Sequence, residues 1–244
     1  MNDVIRELQE RKSVRVYEDK PLTEKEKELI IQSALQAPTA GNMTLYSILN
    51  ITDQELKERL SVTCDNQSFI AKAPFVLVFC ADYRRWFDAF LMVEDEVRKP
   101  GEGDFLLAVS DTLIAAQNAV TAAWSLGIGS CYIGDILENY EIHRELFHLP
   151  KYVAPVCMVC FGYPTKQQKE RRKPERILPE YVVYENHYTM ISEQEQREMF
   201  EKIQGRAGEE LDDFLKKFCK RKWNCDFSIE MTRSVKAMIE EWIK

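Results

Sequence analysis

The 244-residue chain is 45% hydrophobic and 30% charged, the balance of an ordinary globular protein long enough to bury a sizeable core. A formal net charge of -7 opposes general affinity for nucleic acid or an anionic membrane, which leaves small molecules as the expected partners. Seven cysteines, mostly in apolar surroundings, argue against a disulfide framework and for a reducing cytoplasm; no secretory leader pattern opens the sequence, and no apolar run is expected to span a membrane.

Asn2 is placed to cap a first helix whose Val4, Ile5 and Leu8 share one face, and the chain then enters Arg11-Lys12-Ser13-Val14-Arg15. Thr23 and Glu26 form a capping box for a second helix, which stops near Ala37 because Pro38 disfavours helical geometry in its predecessor. Thr39-Ala40-Gly41-Asn42 is therefore a loop. A short strand is expected from Leu45 to Ile51, another capping box at Thr52 and Glu55, and a strand buried on both faces at Pro74–Ala81. An Ala-rich helix follows from Asp104 to Leu126, ended by Gly127. After Cys131-Tyr132-Ile133-Gly134 come a helix reaching Leu149, an apolar strand from Val153 to Phe161, a polar loop from Thr165 to Glu175, and a mostly helical remainder from Ser192.

If the chain is extended after the first helix, Arg11, Ser13 and Arg15 point one way and Val14 and Val16 pack inward. Two charged forks and a hydroxyl then suit a phosphate-sized anion, although a solvated basic rim has the same spacing. Lys173-Pro174-Glu175-Arg176, in a late loop, is a second basic clip for the same group. Thr39 to Asn42 offers backbone donors and an amide that can read a planar ring, or simply an ordinary turn.

Other chemistries find less support. Gly127-Ile128-Gly129-Ser130-Cys131-Tyr132-Ile133-Gly134 has neither the glycine spacing nor the preceding strand of a Rossmann fingerprint, and no P-loop occurs. His143, His148 and His187 lack an acidic cluster and read as surface or cap residues, so no metal site is expected. Cys157 and Cys160, three apart in a strand, face opposite sides and read as core thiols. Lys220 and Arg221, in the densest basic run, suit a 2′-phosphate and thus NADPH over NADH, or a solvated helix face.

Taken in order, several segments resemble the FMN-dependent nitroreductase and flavin reductase superfamily, in particular its oxygen-insensitive NADPH nitroreductase branch. They are Arg11-Lys12-Ser13-Val14-Arg15-Val16-Tyr17, Ala37-Pro38-Thr39-Ala40-Gly41-Asn42, Asp65-Asn66-Gln67, Gln117-Asn118-Ala119, Gly129-Ser130-Cys131-Tyr132-Ile133-Gly134, and Lys173-Pro174-Glu175-Arg176 followed by Glu185-Asn186-His187-Tyr188. The resemblance runs from the first helix to about Tyr188. It implies an α+β fold, a mostly antiparallel sheet flanked by helices, in an intertwined homodimer. On this basis residues 1–190 form the FMN-binding domain, and 191–244 form a helical extension that lids the active site and contacts the partner.

The same resemblance places Arg11, Lys12, Ser13, Arg15, Lys173 and Arg176 on the phosphate side of the cofactor. Thr39, Ala40, Asn42 and Gln67 would meet the ribityl chain and ring, and the backbone at Tyr132, Ile133 and Gly134 would approach the ring. Two departures are visible: Thr44 stands where the family often has Gln, and Glu175 lengthens the usual Lys-Pro-Arg. The implied activity is ping-pong hydride transfer from NADPH or NADH through FMN to nitroaromatics, quinones or flavins, with no side chain assigned a catalytic role because the cofactor carries the chemistry. A flavin-binding sensor or carrier without turnover, or dehalogenation or flavin fragmentation on the same fold, are the alternatives.

Overall fold

A computed structural model describes residues 2–244. Asn2 caps α1 (Asp3–Glu10), its Oδ1 accepting the Ile5 amide at 3.0 Å, but the face bearing Val4, Ile5 and Leu8 is exposed. The Thr23–Glu26 capping box opens α2 (Glu24–Leu35). The box expected at Thr52 is shifted by one residue: Asp53 accepts the Leu56 amide and starts α3 (Gln54–Thr63), an aspartate being the stronger cap. Then come α4 (Phe69–Lys72), α5 (Arg84–Leu91), α6 (Glu102–Ser125), α7 (Tyr140–Leu146) and α8 (Lys166–Glu170). The last of these is a short helix inside the segment expected to be loop.

Four strands, β1 (Tyr46–Asn50), β2 (Phe75–Asp82), β3 (Gly129–Ile133) and β4 (Val153–Gly162), form one antiparallel sheet in the order β1-β2-β4-β3. The interior strands β2 and β4 are buried along their whole length, which is why they read as unbroken apolar runs. Cys157 faces Phe79 and Pro155 faces Cys80, so Val156 is the extra residue of a bulge, beside a proline with no amide to donate.

On one face of the sheet Ala115, Ala116, Ala119 and Ala123 of α6 let that helix and α2 lie close against Leu77, Phe79, Val159 and Phe161. On the other face Leu60, Cys64 and Ile70 pack on Val76, Val78, Met158 and Cys160. Cys157 belongs to the first face and Cys160 to the second. Contrary to the sequence expectation, α6 is long and apolar enough by length and composition to cross a membrane; its alanine face is buried in this core.

The chain clusters into two compact units, 2–171 with Glu230–Lys244, and Arg172–Ile229; the expected division at 190 falls inside the second. Within the first, Met238 and Trp242 of α11 (Asp226–Ile243) join Phe105, Tyr140 and Tyr152 in a third core cluster, with the Phe105 and Trp242 rings edge to face at 5.0 Å. The second carries α9 (Glu193–Gln204), capped by Ser192 and Glu195, and α10 (Gly208–Lys222), tied to it by Arg197–Asp212 at 2.9 Å.

The segment after α1 is not a regular strand. It is held by two isolated bridges, Ser13 with Ser130 in β3 and Tyr17 with Pro164 just beyond β4. Val14 is fully buried and donates its amide to the Ser130 carbonyl at 2.9 Å, but Tyr17 takes the second inward place and Val16 is exposed, which corrects the expected alternation. Two glycines make the approach possible: a Cβ on Gly129 would sit 2.6 Å from Val14, and one on Gly162 would sit 2.5 Å from the Tyr17 ring.

Candidate functional site

Three of the predicted groups assemble in the first unit, around the bridge between Ser13 and Ser130. Arg11 and Arg15 both act on Cys131: burial pushes its thiol up, while the charge and hydrogen bond of Arg15 and the charge of Arg11 pull it back. Arg11 Nη1 is shielded from solvent without any hydrogen-bond partner, and so is the Ser130 hydroxyl oxygen. A cationic nitrogen buried without an acceptor is costly, and an anion beside it answers the cost. This orphaned donor is what fits a phosphate group.

Lys12 has a different task. Its Nζ donates to the Lys169 carbonyl at 2.6 Å and to the Arg171 carbonyl, satisfying backbone at the end of α8. Arg171 in turn donates to the Ser13 carbonyl at 2.6 Å, and the Arg15 amide meets Gln168 Oε1 at 3.4 Å. These contacts hold α8 to the Ser13 segment, and the Lys12 ammonium is engaged with backbone.

The loop from Thr39 to Thr44 is irregular because Gly41, Asn42 and Thr44 all adopt positive φ, at 56°, 58° and 52°. Asp111, buried in α6, holds it in place. Its carboxylate accepts the Ala40 amide at 3.0 and 3.2 Å and the Leu45 amide at 3.4 Å, while Thr39 Oγ1 accepts the Thr44 amide at 3.1 Å. Thr39 and Ala40 are thereby fixed half-buried, with Asn42 exposed. Asp111 was not among the sequence candidates; its signal was the one acid between Phe105 and Ser125 of a mainly apolar helix.

Gln67 donates from Nε2 to the Cys64 carbonyl and to Asp135 Oδ2, both at 2.9 Å. Asp135 follows Gly134, which is exposed and has no atom within 4 Å of the place a Cβ would occupy. Beside it, Tyr132, Gly134, Cys157, Val109, Leu113 and Met238 help line an apolar cleft of about 440 Å³, within the size range of small-molecule sites. Ile133 is buried and supports the turn from behind.

His143 overturns the surface reading. It is fully buried, with Nδ1 3.0 Å from the Ile136 carbonyl and Nε2 2.8 Å from Thr63 Oγ1, and burial lowers its pKa. Lys173 and Arg176 lie in the second unit, where the neighbouring Glu175 pairs with Arg172. Lys220 and Arg221 are exposed on the last turn of α10 in that unit, the Arg221 guanidinium 5.4 Å from the Phe218 ring.

Comparison with known proteins gives a consistent picture. The model described as "Nitroreductase family" matches residues 8–163, well over half of the chain. The chain is 37% identical over 193 residues to an oxygen-insensitive NADPH nitroreductase of Salmonella typhimurium, covering 79% of this chain and 78% of that one. It is 32% identical over 199 residues to an FMN reductase [NAD(P)H] of Bacillus subtilis, at 79% and 78% coverage. Among solved structures, the NADPH:FMN oxidoreductase of Vibrio harveyi complexed with NAD+ superposes with a TM-score of 0.76 at 29% identity, over 84% of this chain and 86% of that one.

Proposed function

Because the chain belongs to the nitroreductase family, we infer that it is an FMN-dependent NAD(P)H oxidoreductase. The observation that carries the binding site is the buried, unpartnered Arg11 Nη1 beside Arg15 and the Ser13–Ser130 bridge. In this reading Arg11, Ser13 and Arg15 hold the cofactor phosphate, and Lys173 and Arg176 are proposed as its further cations. The Asp111-fixed loop presents Thr39, Ala40 and Asn42 to the ribityl chain and ring, and Gln67 reaches the ring.

When bound, FMN supplies hydride acceptance from NAD(P)H and delivery to a second small molecule. The protein supplies orientation and an apolar cleft that admits planar molecules in turn; nitroaromatics, quinones and flavins are the proposed acceptors. Gly134 keeps the approach open, since a side chain there would enter the space above the turn. Lys220 and Arg221 are proposed to favour NADPH through its 2′-phosphate. The segment over 191–244 is proposed as lid and dimer contact. All seven cysteines are free, which fits a reducing cytoplasm.

An anaerobic absorbance titration with NADPH, and separately with NADH, tests the reading. The FMN-loaded protein is expected to bleach with the donor and recover when a quinone or nitroaromatic is added; loaded protein that stays oxidised with both donors would favour a sensor or carrier. A homodimer is proposed as well, because Leu106, Leu107, Leu113 and Ile114 of α6 and Val4, Ile5 and Leu8 of α1 are exposed. Light scattering is expected to give twice the chain mass, and a monomer at micromolar concentration would sink this part.

A further inference from the structure

Residues 164–171 run beside the candidate phosphate segment and include none of the groups proposed to touch the cofactor. Their contacts fall mainly on its backbone. The Ser13–Val14 peptide group is fixed at both ends, its carbonyl accepting Arg171 Nη2 at 2.6 Å and its amide donating to the Ser130 carbonyl at 2.9 Å. The next amide, that of Arg15, meets Oε1 of Gln168 at 3.4 Å. Further along, the Val16 carbonyl accepts the Thr165 amide at 3.4 Å, and Glu18 pairs with Lys169 at 3.1 Å.

A side chain is aimed by its backbone, and here no regular strand does the aiming. Between the isolated bridges at Ser13 and Tyr17, the orientation of Ser13 and Arg15 depends on the donor of Arg171 and the acceptor of Gln168. Gln168 is only 8% exposed, so water does not readily replace its oxygen. Arg171 is in turn held by the segment it holds, its own carbonyl accepting Lys12 Nζ. The same contacts gather charge. Arg11, Lys12 and Arg15 come from one stretch of chain and Lys169 and Arg171 from the other, while the carboxylates of these two stretches are already engaged, Glu18 with Lys169 and Glu170 with Lys166. An anion at this place lowers the repulsion that docking of α8 must overcome.

We propose that Arg171 and Gln168 are positioning residues for the cofactor phosphate, fixing the backbone that presents Ser13 and Arg15, and that the bound phosphate in return tightens α8 against that segment. This rests on the FMN reading above. Neither side chain touches the ligand; each acts through a main-chain group of the segment. Linkage makes the effect reciprocal, because whatever docked α8 adds to phosphate affinity, the phosphate adds to the docking of α8.

The test compares FMN with riboflavin, which has the same ring and ribityl chain and no phosphate, by quenching of flavin fluorescence with the full chain. The ratio of the two affinities reads the phosphate site and cancels any general loosening of the fold. In Arg171→Ala the ratio is expected to fall about tenfold, the equivalent of one hydrogen bond from a charged donor, with riboflavin affinity unchanged. Arg171→Lys, which keeps a donor for the Ser13 carbonyl, should restore most of the ratio. Gln168→Leu removes an acceptor and no charge, and is expected to lower it about threefold. A native ratio in Arg171→Ala overturns the proposal. So does a lowered ratio there with a native one in Gln168→Leu, since Arg171 would then act only as a distant charge. Hydrogen exchange with each flavin at saturation reads the reverse direction: FMN is expected to slow the amides of Lys169 and Arg171, which donate to the Thr165 and Gln167 carbonyls at 3.0 Å, more than riboflavin does. Equal protection by the two flavins refutes the coupling, whereas a native chain that binds neither flavin would overturn the cofactor reading instead.

Discussion

Replacing Arg11 and Arg15 together by alanine is expected to raise the FMN dissociation constant by at least about a hundredfold, since each charge-assisted hydrogen bond contributes about 1.5–3 kcal/mol. The geometry makes this loss specific to the ligand. Arg11 Nη1 is shielded and has no protein partner, so truncating the half-buried Arg11 removes that donor without breaking a contact of that nitrogen. The fold therefore survives while binding is lost. Lys12→Ala is the contrast: its Nζ serves two backbone carbonyls, so stability falls before affinity does. Fluorescence titration with FMN and thermal melting of the same samples separate the two behaviours. A change under about threefold in the double variant would remove the phosphate from this position.

Asp111→Ala is expected to cost about 3 kcal/mol of stability, because it leaves the amides of Ala40 and Leu45 without their acceptor. For a chain of this size that is a fall of roughly 6–12 °C in Tm. FMN affinity should fall with it. Asn42 and Thr44 hold positive φ, which costs a non-glycine residue on the order of 1 kcal/mol or more and persists only where the surroundings enforce it. Asp111 supplies that enforcement from inside α6. Asp111→Asn, which retains one acceptor oxygen, should recover part of the stability, and calorimetry of the three proteins orders them. Equal Tm values for the native chain and Asp111→Ala would show that the loop is held by something else.

Local chemistry was legible in the sequence where it needed only near neighbours. Asn2 caps its helix, Thr23 and Glu26 close their box, and the two interior strands show in unbroken apolar runs. The cations were legible as a group, but their division of labour was not: Lys12 and Arg15 differ because Lys12 reaches carbonyls that the chain delivers more than 150 residues later. The Thr52 box failed because a better cap stood next to it. Asp111 was passed over and His143 was read as a surface residue for one reason. Each is a polar side chain whose burial depends on long-range packing, and a single sequence shows such a residue in its helix or turn without showing what closes over it.

The return of the chain to its first unit also sets an order of events during synthesis. Phe105 and Tyr152 must wait for Met238 and Trp242, which emerge only after the whole of 172–229 has been made. Until then a patch of aromatic surface stays open to water, a natural binding place for a chaperone and the weakest moment for aggregation. Closing so long a loop costs little more than closing one half its length, since the entropic cost grows only with the logarithm of length. Insertions in the excursion are therefore tolerated far better than the loss of the one indole that seals the core behind it.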